Sequence, residues 1–296
     1  MIPYLSGLGI AVITPFNDND EVDYDSLDNV ISYLLANDVD FLVLSGTTGE
    51  NPTLSLHEKE KILRFVINKT KNKVPIVLGV GGYNTKEVIS EIKEFENINE
   101  IFAFLCVTPY YNKPTQEGLY LHYSAIAKST KKKLIIYNVP TRTACNINAS
   151  TIKKLIDNYK NIYGIKEASH DARQINSIFL LKSDDFKIFS GDDSLTFLFL
   201  KLGGDGLISV AGNAFPSLMK KFINCIKNNN LNEAIKINQN LNNIFNYLFY
   251  ENSPAAIKWI MYKMKLIKSP KLRLPITQIS EDLKEKINLE LSLLNL

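Results

Sequence analysis

The amino-acid sequence of 296 residues predicts an α/β fold, namely a (β/α)8 TIM barrel followed by a C-terminal helical appendage. Eight short apolar segments, each bounded by turn residues, are typical of buried strands. Amphipathic stretches fill most of the gaps, and the segments recur at intervals of very roughly 20 to 35 residues, as parallel βαβ units do. The strand pattern ends after Phe215-Pro216, which indicates a catalytic barrel over 1–229 and a helical domain over 230–296.

Changes in apolar periodicity delimit the predicted elements. The strands are Leu8–Ile13, Phe41–Ser45, Pro75–Gly79, Ile101–Val107, Leu134–Val139, Ile162–Ala168, Phe186–Ser190 and Gly206–Val210. Helical spacing covers Asp25–Ala36, Ser55–Thr70, Thr85–Glu96, Ser217–Lys227, Leu231–Tyr250, Pro254–Ile267 and Glu281–Leu294. Prolines hold Ser269–Pro275 extended. The apolar stripe in the appendage is interpreted as packing and consists of Ile244, Leu248, Ile257, Ile260 and Met261. A doubly wound open sheet is the alternative, but no G-x-G-x-x-G motif opens a helix after a strand.

The composition indicates a globular protein without a nucleic-acid or membrane partner. The hydrophobic content is 45%, the net charge is only +3, and basic residues alternate with acids. The three cysteines lie far apart without metal-ligand spacing, which is typical of reduced thiols in the cytoplasm. The first residues lack a basic segment, so neither a signal peptide nor a membrane span is expected. The histidines fall in no hydrolase or metalloprotease motif, so no metal and no cofactor are expected.

The most informative strand is Ile162–Ala168, because its apolar run contains a lysine. Burial disfavours the ammonium form of a lysine and leaves a larger fraction as the neutral amine. A neutral amine in a dry pocket can form an imine with a ketone, which makes Lys166 the candidate nucleophile. Two other interpretations stay open on this strand alone: the side chain reaches outward to solvent, or it pairs with Glu167.

Polar residues and a glycine follow several of the predicted strands. In a (β/α)8 barrel, active sites lie at the carboxyl ends of the strands. The residues at or near these ends are Thr47, Thr48, Tyr110, Tyr111, Tyr137, Arg142, Lys166, Gly191, Asp192 and Asp193. We expect them to meet at one rim, since unrelated polar positions would be scattered over the fold. The two aspartates are interpreted as caps of the following helix and not as a metal site.

Six short motifs resemble those of one enzyme family. They are Gly46–Glu50, Val107–Pro114, Tyr137–Thr143, Gly164–Ala168, Ser190–Asp193 and Leu272–Pro275. In these motifs the chain resembles the dihydrodipicolinate synthase family of the class I, Schiff-base aldolase superfamily, and the resemblance covers nearly the whole chain. It implies that a lysine imine of pyruvate becomes an enamine, which attacks L-aspartate 4-semialdehyde in the route to diaminopimelate and lysine.

The resemblance also implies which residues carry out the chemistry. Lys166 forms the imine, and Thr47 and Tyr137 belong to the family's proton relay. The third member of the relay, Tyr111, would come from a neighbouring subunit. The family's usual assembly is a homotetramer built as a dimer of dimers, and the same assembly is expected for this chain.

Four further residues are implied to bind the substrates. Thr48 and the backbone at Ile208 would hold the pyruvate carboxylate. Arg142 would bind the carboxylate of the second substrate, because a planar guanidinium suits bidentate pairing. Gly191 would line the same pocket.

Departures from the family's pattern concern the rim and a lysine effector site. At the rim, His170-Asp171 stands where the family often has glycine or another small residue. The positions of the effector site carry Asn51, Leu56, Lys59, Tyr83, Glu87 and Tyr110. Leu56 and Lys59 replace the usual histidines, and Tyr83 replaces an asparagine. A cationic Lys59 would repel a cationic effector, so lysine is expected to inhibit weakly or not at all.

Two other functions are compatible with part of this pattern. A different aldolase of the superfamily, such as N-acetylneuraminate lyase or a 2-keto-3-deoxy-sugar-acid aldolase, would keep Lys166 and Tyr137. It would lack the Thr47-Thr48 pair together with Arg142. A non-catalytic keto-acid sensor with the same fold would bind pyruvate without turnover and would not need Tyr111.

Overall fold

The computed structural model describes residues 4–294 and confirms the predicted barrel. Eight parallel strands pair in sequence order, and the last strand pairs with the first to close the barrel. The strands are β1 (Gly7–Ala11), β2 (Phe41–Leu44), β3 (Ile76–Val80), β4 (Ile101–Val107), β5 (Lys133–Asn138), β6 (Ile162–Glu167), β7 (Lys187–Ser190) and β8 (Gly206–Ser209). Each predicted strand lies within two residues of the observed one at either end.

Helices cover the outside of the barrel and form the C-terminal part of the chain. They are α1 (Tyr24–Ala36), α2 (Leu56–Thr70), α3 (Thr85–Phe95), α4 (Gln116–Ser129), α5 (Pro140–Thr143), α6 (Ala149–Asn158), α7 (Ala172–Phe179), α8 (Thr196–Lys201), α9 (Pro216–Lys227), α10 (Leu231–Tyr250), α11 (Ala255–Lys263) and α12 (Glu281–Leu293). The predicted helix Pro254–Ile267 is too long at its end. The chain turns after Lys263, and Lys265 adopts a left-handed φ of 59° that ends the helix. None of the helices within 4–294 is both long and apolar enough to cross a membrane.

The hydrophobic core has two layers. One cluster fills the inside of the barrel and includes Phe41 and Phe189, whose rings meet edge to face at 5.7 Å. A second, larger cluster lies between the strands and the surrounding helices. Because side chains fill the barrel, the open space for chemistry is left at the ends of the strands.

The C-terminal helices share the outer layer of the core with the barrel helices. The predicted packing stripe is confirmed, since all five of its residues are buried: Ile244, Leu248, Ile257, Ile260 and Met261. They belong to the same hydrophobic cluster as barrel residues such as Leu8 and Leu207. The segment Ser269–Pro275 contains no helix or strand, in agreement with its prolines. The division of the chain at residues 229 and 230 stays a prediction.

Candidate active site

Lys166 lies near the end of β6, with its side chain among buried groups. The residue is only 4% exposed. In the register of β5 and β6, Lys166 is the partner of Tyr137, and its Nζ lies 4.3 Å from the centre of the Tyr137 ring. Such contact with an aromatic face stabilises a cation without a counter-ion, and it leaves the amine free of a carboxylate partner. The predicted burial of Lys166 is confirmed, and the interpretation that it reaches outward to solvent is wrong.

Glu167 takes part in a separate network. Successive side chains of a strand point to opposite faces, so Glu167 leaves β6 on the face opposite Lys166. Its carboxylate accepts hydrogen bonds from Asn138 Nδ2 at 3.0 Å and from the backbone N–H of Ser169 at 2.6 Å. Burial raises the pKa of Glu167, while these hydrogen bonds lower it. The alternative in which Glu167 pairs with Lys166 is therefore wrong.

Gly191 packs directly against the lysine side chain. Its backbone N–H donates to the carbonyl of Glu167 at 2.8 Å, which fixes the end of β7 beside the end of β6. A Cβ atom at this position would lie 3.0 Å from Lys166 Cε and 2.8 Å from the Cβ of Ala168. Only glycine therefore leaves room for the lysine in its observed position.

We expect Gly191→Ala to lower the rate of imine formation by about 100-fold, because the added methyl displaces the reacting amine by a fraction of an ångström or more. The measurement is the rate of pyruvate-dependent inactivation by borohydride. Gly82→Ala is the matched control, since its Cβ would meet Val88 at an ordinary 3.6 Å. Equal rates in wild type and Gly191→Ala would contradict a fitted lysine site.

The threonine pair lies on a tight turn after β2. The turn is closed by backbone hydrogen bonds from Gly49 N to Gly46 O at 3.1 Å and from Glu50 N to Thr47 O at 3.0 Å. Thr14 Oγ1 also donates to the carbonyl of Gly49 at 2.7 Å, which ties the turn to the end of β1. Thr47 is partly exposed, whereas Thr48 is buried. The turn thus presents one hydroxyl to the open space and holds the next inside.

Two cavities meet at the rim of the barrel. The first has a volume of about 360 Å³, and its lining includes Thr47, Tyr137 and Arg142. The second, of about 630 Å³, shares Tyr137 and Arg142 and adds Gly191 and His170. Ile208 is fully buried on β8 in the interior cluster that also contains Tyr137. The structure thus gathers residues from five strand ends around the tyrosine that contacts Lys166, in agreement with the expected rim.

Tyr111 is placed differently from the other candidates. It is 86% exposed and has a left-handed φ of 75°. In the part of the chain that the structure describes, Tyr111 lines neither of the two cavities. The preceding Tyr110 is half-buried against Tyr83, with ring centres 5.6 Å apart. Within one chain, the structure therefore does not bring Tyr111 to Thr47 and Tyr137.

The positions of the effector site adjoin the first cavity. Asn51, Lys59 and Tyr110 line this cavity. Lys59 Nζ forms a largely buried ion pair with Glu91 Oε1 at 2.6 Å. Burial raises the pKa of the Tyr110 hydroxyl, and nearby acidic groups add to this effect. Glu87 accepts from Asn84 Nδ2 at 2.9 Å at the start of α3.

The two aspartates after β7 do not cap the helix that follows them, so this interpretation was wrong. The fully buried Asp193 accepts from the backbone N–H groups of Val210 and Ala211, at 3.0 and 3.1 Å, at the start of the short 3-10 helix Ala211–Asn213 that follows β8. Burial raises the pKa of Asp193 to about 6 against the effect of these bonds. The carboxylate of Asp192 lies 3.1 Å from Nε2 of the rim residue His170. Residues 4–294 contain no group of three potential metal ligands.

One buried pair near the site was missed by sequence reasoning. Lys258 on α11 and Glu50, which ends the threonine turn, are both completely buried and form an ion pair. The signal was a lysine between Ile257 and Ile260, inside the apolar stripe of the C-terminal region. A lysine within a buried stripe requires a partner, but the sequence does not reveal which acid supplies it.

A buried lysine held against a tyrosine at the carboxyl end of a closed parallel barrel defines a Schiff-base aldolase of class I. Comparison with known proteins narrows this class. Residues 4–293 match the model of the dihydrodipicolinate synthetase family, and the chain belongs to that family. The chain is accordingly an enzyme of the lyase class.

Relatives and solved structures agree with this family. A 4-hydroxy-tetrahydrodipicolinate synthase of Karelsulcia muelleri is 43% identical, over 97% of this chain and 96% of the relative. The crystal structure of dihydrodipicolinate synthase from Aquifex aeolicus is similar with a TM-score of 0.94 and 34% identity, and 99% of each chain is covered. The enzyme from Acinetobacter baumannii, solved in complex with pyruvate, has a TM-score of 0.93 and 34% identity over 98% of each chain.

Proposed function

We propose that this chain condenses pyruvate with L-aspartate 4-semialdehyde to 4-hydroxy-tetrahydrodipicolinate, in the biosynthesis of diaminopimelate and lysine. The observation that carries the proposal is the buried Lys166 amine over the Tyr137 ring, beside cavities that also contain Thr47 and Arg142. The names of the full-length relatives support the same substrates. A cytoplasmic location is part of the proposal and rests on the three free cysteines, Cys106, Cys145 and Cys225.

The first half of the reaction takes place on Lys166. Its neutral amine attacks the ketone carbon of pyruvate, and loss of water gives the imine. Thr48 and the backbone at Ile208 hold the pyruvate carboxylate, which directs the ketone toward Nζ. The imine then loses a methyl proton and becomes an enamine, whose carbon is the nucleophile of the second half.

The second half requires a proton relay and a site for the second substrate. The enamine carbon attacks the aldehyde, which re-forms the imine, and the resulting alkoxide takes up a proton through the hydroxyls of Tyr137, Thr47 and Tyr111. The amino group of the semialdehyde then adds to the imine carbon and displaces the Lys166 amine, which closes the ring and releases the product. Tyrosine with its ordinary pKa near 10 is a poor base at neutral pH, but a chain of hydroxyls moves a proton without isolating a charge. Arg142 is exposed at the mouth of the cavities, where it binds the carboxylate of the semialdehyde.

A homotetramer built as a dimer of dimers is part of the proposal. The exposed Tyr111 supports it, because a left-handed backbone at a non-glycine residue is strained and is retained where it serves a function. A tyrosine held outward in this way can complete the relay of a neighbouring subunit.

Gly191 leaves space for the Lys166 side chain in the active site, as the close fit of the Gly191 backbone against Lys166 Cε indicates.

The direct test of the reaction compares acceptor substrates. Purified protein is given pyruvate with either aspartate semialdehyde or N-acetylmannosamine, the acceptor in the reverse reaction of N-acetylneuraminate lyase. We expect turnover with the semialdehyde only. Formation or cleavage of sialic acid would assign the chain to another aldolase, and pyruvate binding without turnover would make it a sensor.

We also propose that the cavity around Lys59 is a degenerate effector site that lysine fills poorly. The Lys59 ammonium is paired with the carboxylate of Glu91, so this carboxylate is not available to a bound lysine. Lys59 also places a cation in the lining of the cavity, where a lysine effector would lie. The ring of Tyr83 packs edge to face against Tyr110, which lines the same cavity. The remaining residues of the site are Asn51 and Glu87.

We expect lysine at micromolar concentration to leave the wild-type rate unchanged, because binding beside Lys59 costs electrostatic repulsion. In Lys59→His the cation is lost at neutral pH, so the concentration for half inhibition should fall by about tenfold or more. The measurement is the initial rate against lysine concentration. Lys86→His on the exposed start of α3 is the control. Strong inhibition of wild type at micromolar lysine would contradict the proposal.

A further inference from the structure

The ion pair of Lys258 and Glu50 joins the C-terminal region to the barrel. Both side chains are 0% exposed, although they lie 208 residues apart in the sequence. Lys258 Nζ also donates to the carbonyl of Lys271 at 2.9 Å and lies 4.2 Å from the centre of the Phe16 ring. The ammonium is therefore surrounded by a carboxylate, a carbonyl and an aromatic face, with no contact to water.

The second oxygen of Glu50 is also occupied. It accepts from the backbone N–H of Arg273 at 3.1 Å. The guanidinium of Arg273 covers the ring of Phe16 at 4.3 Å and pairs with Glu58, so that the extended C-terminal segment is held on the barrel at several points. The Glu58 pKa is lowered to about 2 chiefly by its hydrogen bond with Arg273. Both carboxylate oxygens of Glu50 are thus held by groups of the C-terminal region.

Glu50 is also the residue that ends the threonine turn. Its backbone N–H donates to the carbonyl of Thr47 at 3.0 Å, and its φ of 56° is left-handed. A glutamate adopts this conformation only where surrounding contacts impose it. The contacts of the Glu50 side chain meet this condition, since Lys258 and the backbone of Arg273 hold its carboxylate in place. The position of the turn therefore depends on the C-terminal region.

The ion pair of Lys258 and Glu50 fixes the direction of a side chain in addition to filling space in the core. Burial lowers the pKa of Lys258 to about 8, against the raising effect of Glu50, so that the lysine still carries its charge at neutral pH. Two buried charges are often replaceable by apolar side chains without loss of stability. Their geometry, however, fixes the carboxylate in one direction, which an apolar contact would not do.

We propose that Lys258 is a positioning residue, which through Glu50 fixes the turn that aims Thr47 and Thr48 at pyruvate. This inference rests on the proposed function of the two threonines. It makes the C-terminal helices part of the catalytic apparatus, although they contribute no group that touches the reacting atoms in the mechanism above.

The test uses four variants of the full-length chain: Lys258→Met, Glu50→Asp, the double variant Lys258→Met with Glu50→Gln, and Lys268→Met. The last is the control, because Lys268 belongs to the same region but pairs with Asp25 at the surface. For each variant, kcat, KM for pyruvate and the midpoint of thermal unfolding are measured at pH 7. We expect Lys258→Met to lower kcat by about 100-fold and to raise KM for pyruvate about tenfold.

The double variant separates positioning from stability. Its neutral side chains leave no unpaired buried charge, so the unfolding midpoint should return toward that of wild type while kcat stays low. Glu50→Asp keeps both charges but shortens the link, and it should lower kcat with little change in the midpoint. A double variant with wild-type kcat and KM, or an unimpaired Glu50→Asp, would overturn the positioning role. A wild-type chain without turnover would instead count against the proposed function.

Discussion

Lys166→Ala is expected to lower the condensation rate by about 10⁴-fold or more, because removal of a covalent nucleophile leaves only substrate binding to accelerate the reaction. Lys59 also lines the first cavity, but its Nζ is held in an ion pair with Glu91 at 2.6 Å, whereas Lys166 is the lysine whose Nζ lies over the Tyr137 ring. The substitution removes one buried polar side chain at the end of β6 and leaves the apolar core intact, so the barrel should still fold. The measurement is kcat with saturating pyruvate and aspartate semialdehyde.

A matched control for this variant exists at the other end of the barrel. Lys133 at the start of β5 also places its Nζ over aromatic rings, 4.3 Å from Phe102 and 4.5 Å from Tyr163. Burial lowers the pKa of Lys133. Because Lys133 lies at the amino end of its strand, Lys133→Met should retain activity. Turnover by Lys166→Ala within about tenfold of wild type would contradict the assignment of the nucleophile.

Tyr111→Phe is expected to lower kcat by about 10²- to 10⁴-fold, the range for loss of a group that transfers a proton. The distinctive result should come from mixing. When Tyr111→Phe and Lys166→Ala subunits are co-expressed, a mixed dimer has one site with both an intact lysine and an intact tyrosine. Random pairing then restores about a quarter of the wild-type sites in an arrangement with twofold symmetry.

The mixing experiment shows whether Tyr111 acts in the active site of a partner subunit or in the site of its own chain. Each variant expressed alone supplies the baseline, and Tyr262→Phe controls for loss of a partly exposed tyrosine hydroxyl. Recovery of activity in the mixture requires that Tyr111 acts in the site of another subunit. A mixture no more active than its two components would contradict the shared relay.

Much of the barrel could be predicted because its signals are local. The buried strands are apolar runs bounded by turn residues, and parallel pairing requires the alternation with helices that the sequence shows. Lys166 was identifiable because a lysine inside such a run is costly to bury. Thr47, Tyr137 and Gly191 were identifiable because they lie at or just after the carboxyl ends of strands, and these ends share one rim.

The contacts that could not be predicted join distant parts of the chain. Nothing local indicates that Lys258 pairs with Glu50, since the pairing is decided by how α11 packs against the barrel. Asp193 was interpreted as a cap of the next helix, but the free N–H groups that it satisfies belong to the turn after β8. In both cases the position of an acid is visible in the sequence, and its partner is set by tertiary packing.

The most direct test of the account is chemical trapping of the imine. The protein is treated with borohydride in the presence of pyruvate, digested and examined by mass spectrometry. We predict a reduced pyruvate adduct on the peptide that contains Lys166, because this amine is the one held in the site, over the Tyr137 ring. An adduct on another lysine, such as Lys133, or no adduct at all would contradict the central claim that Lys166 captures the keto acid.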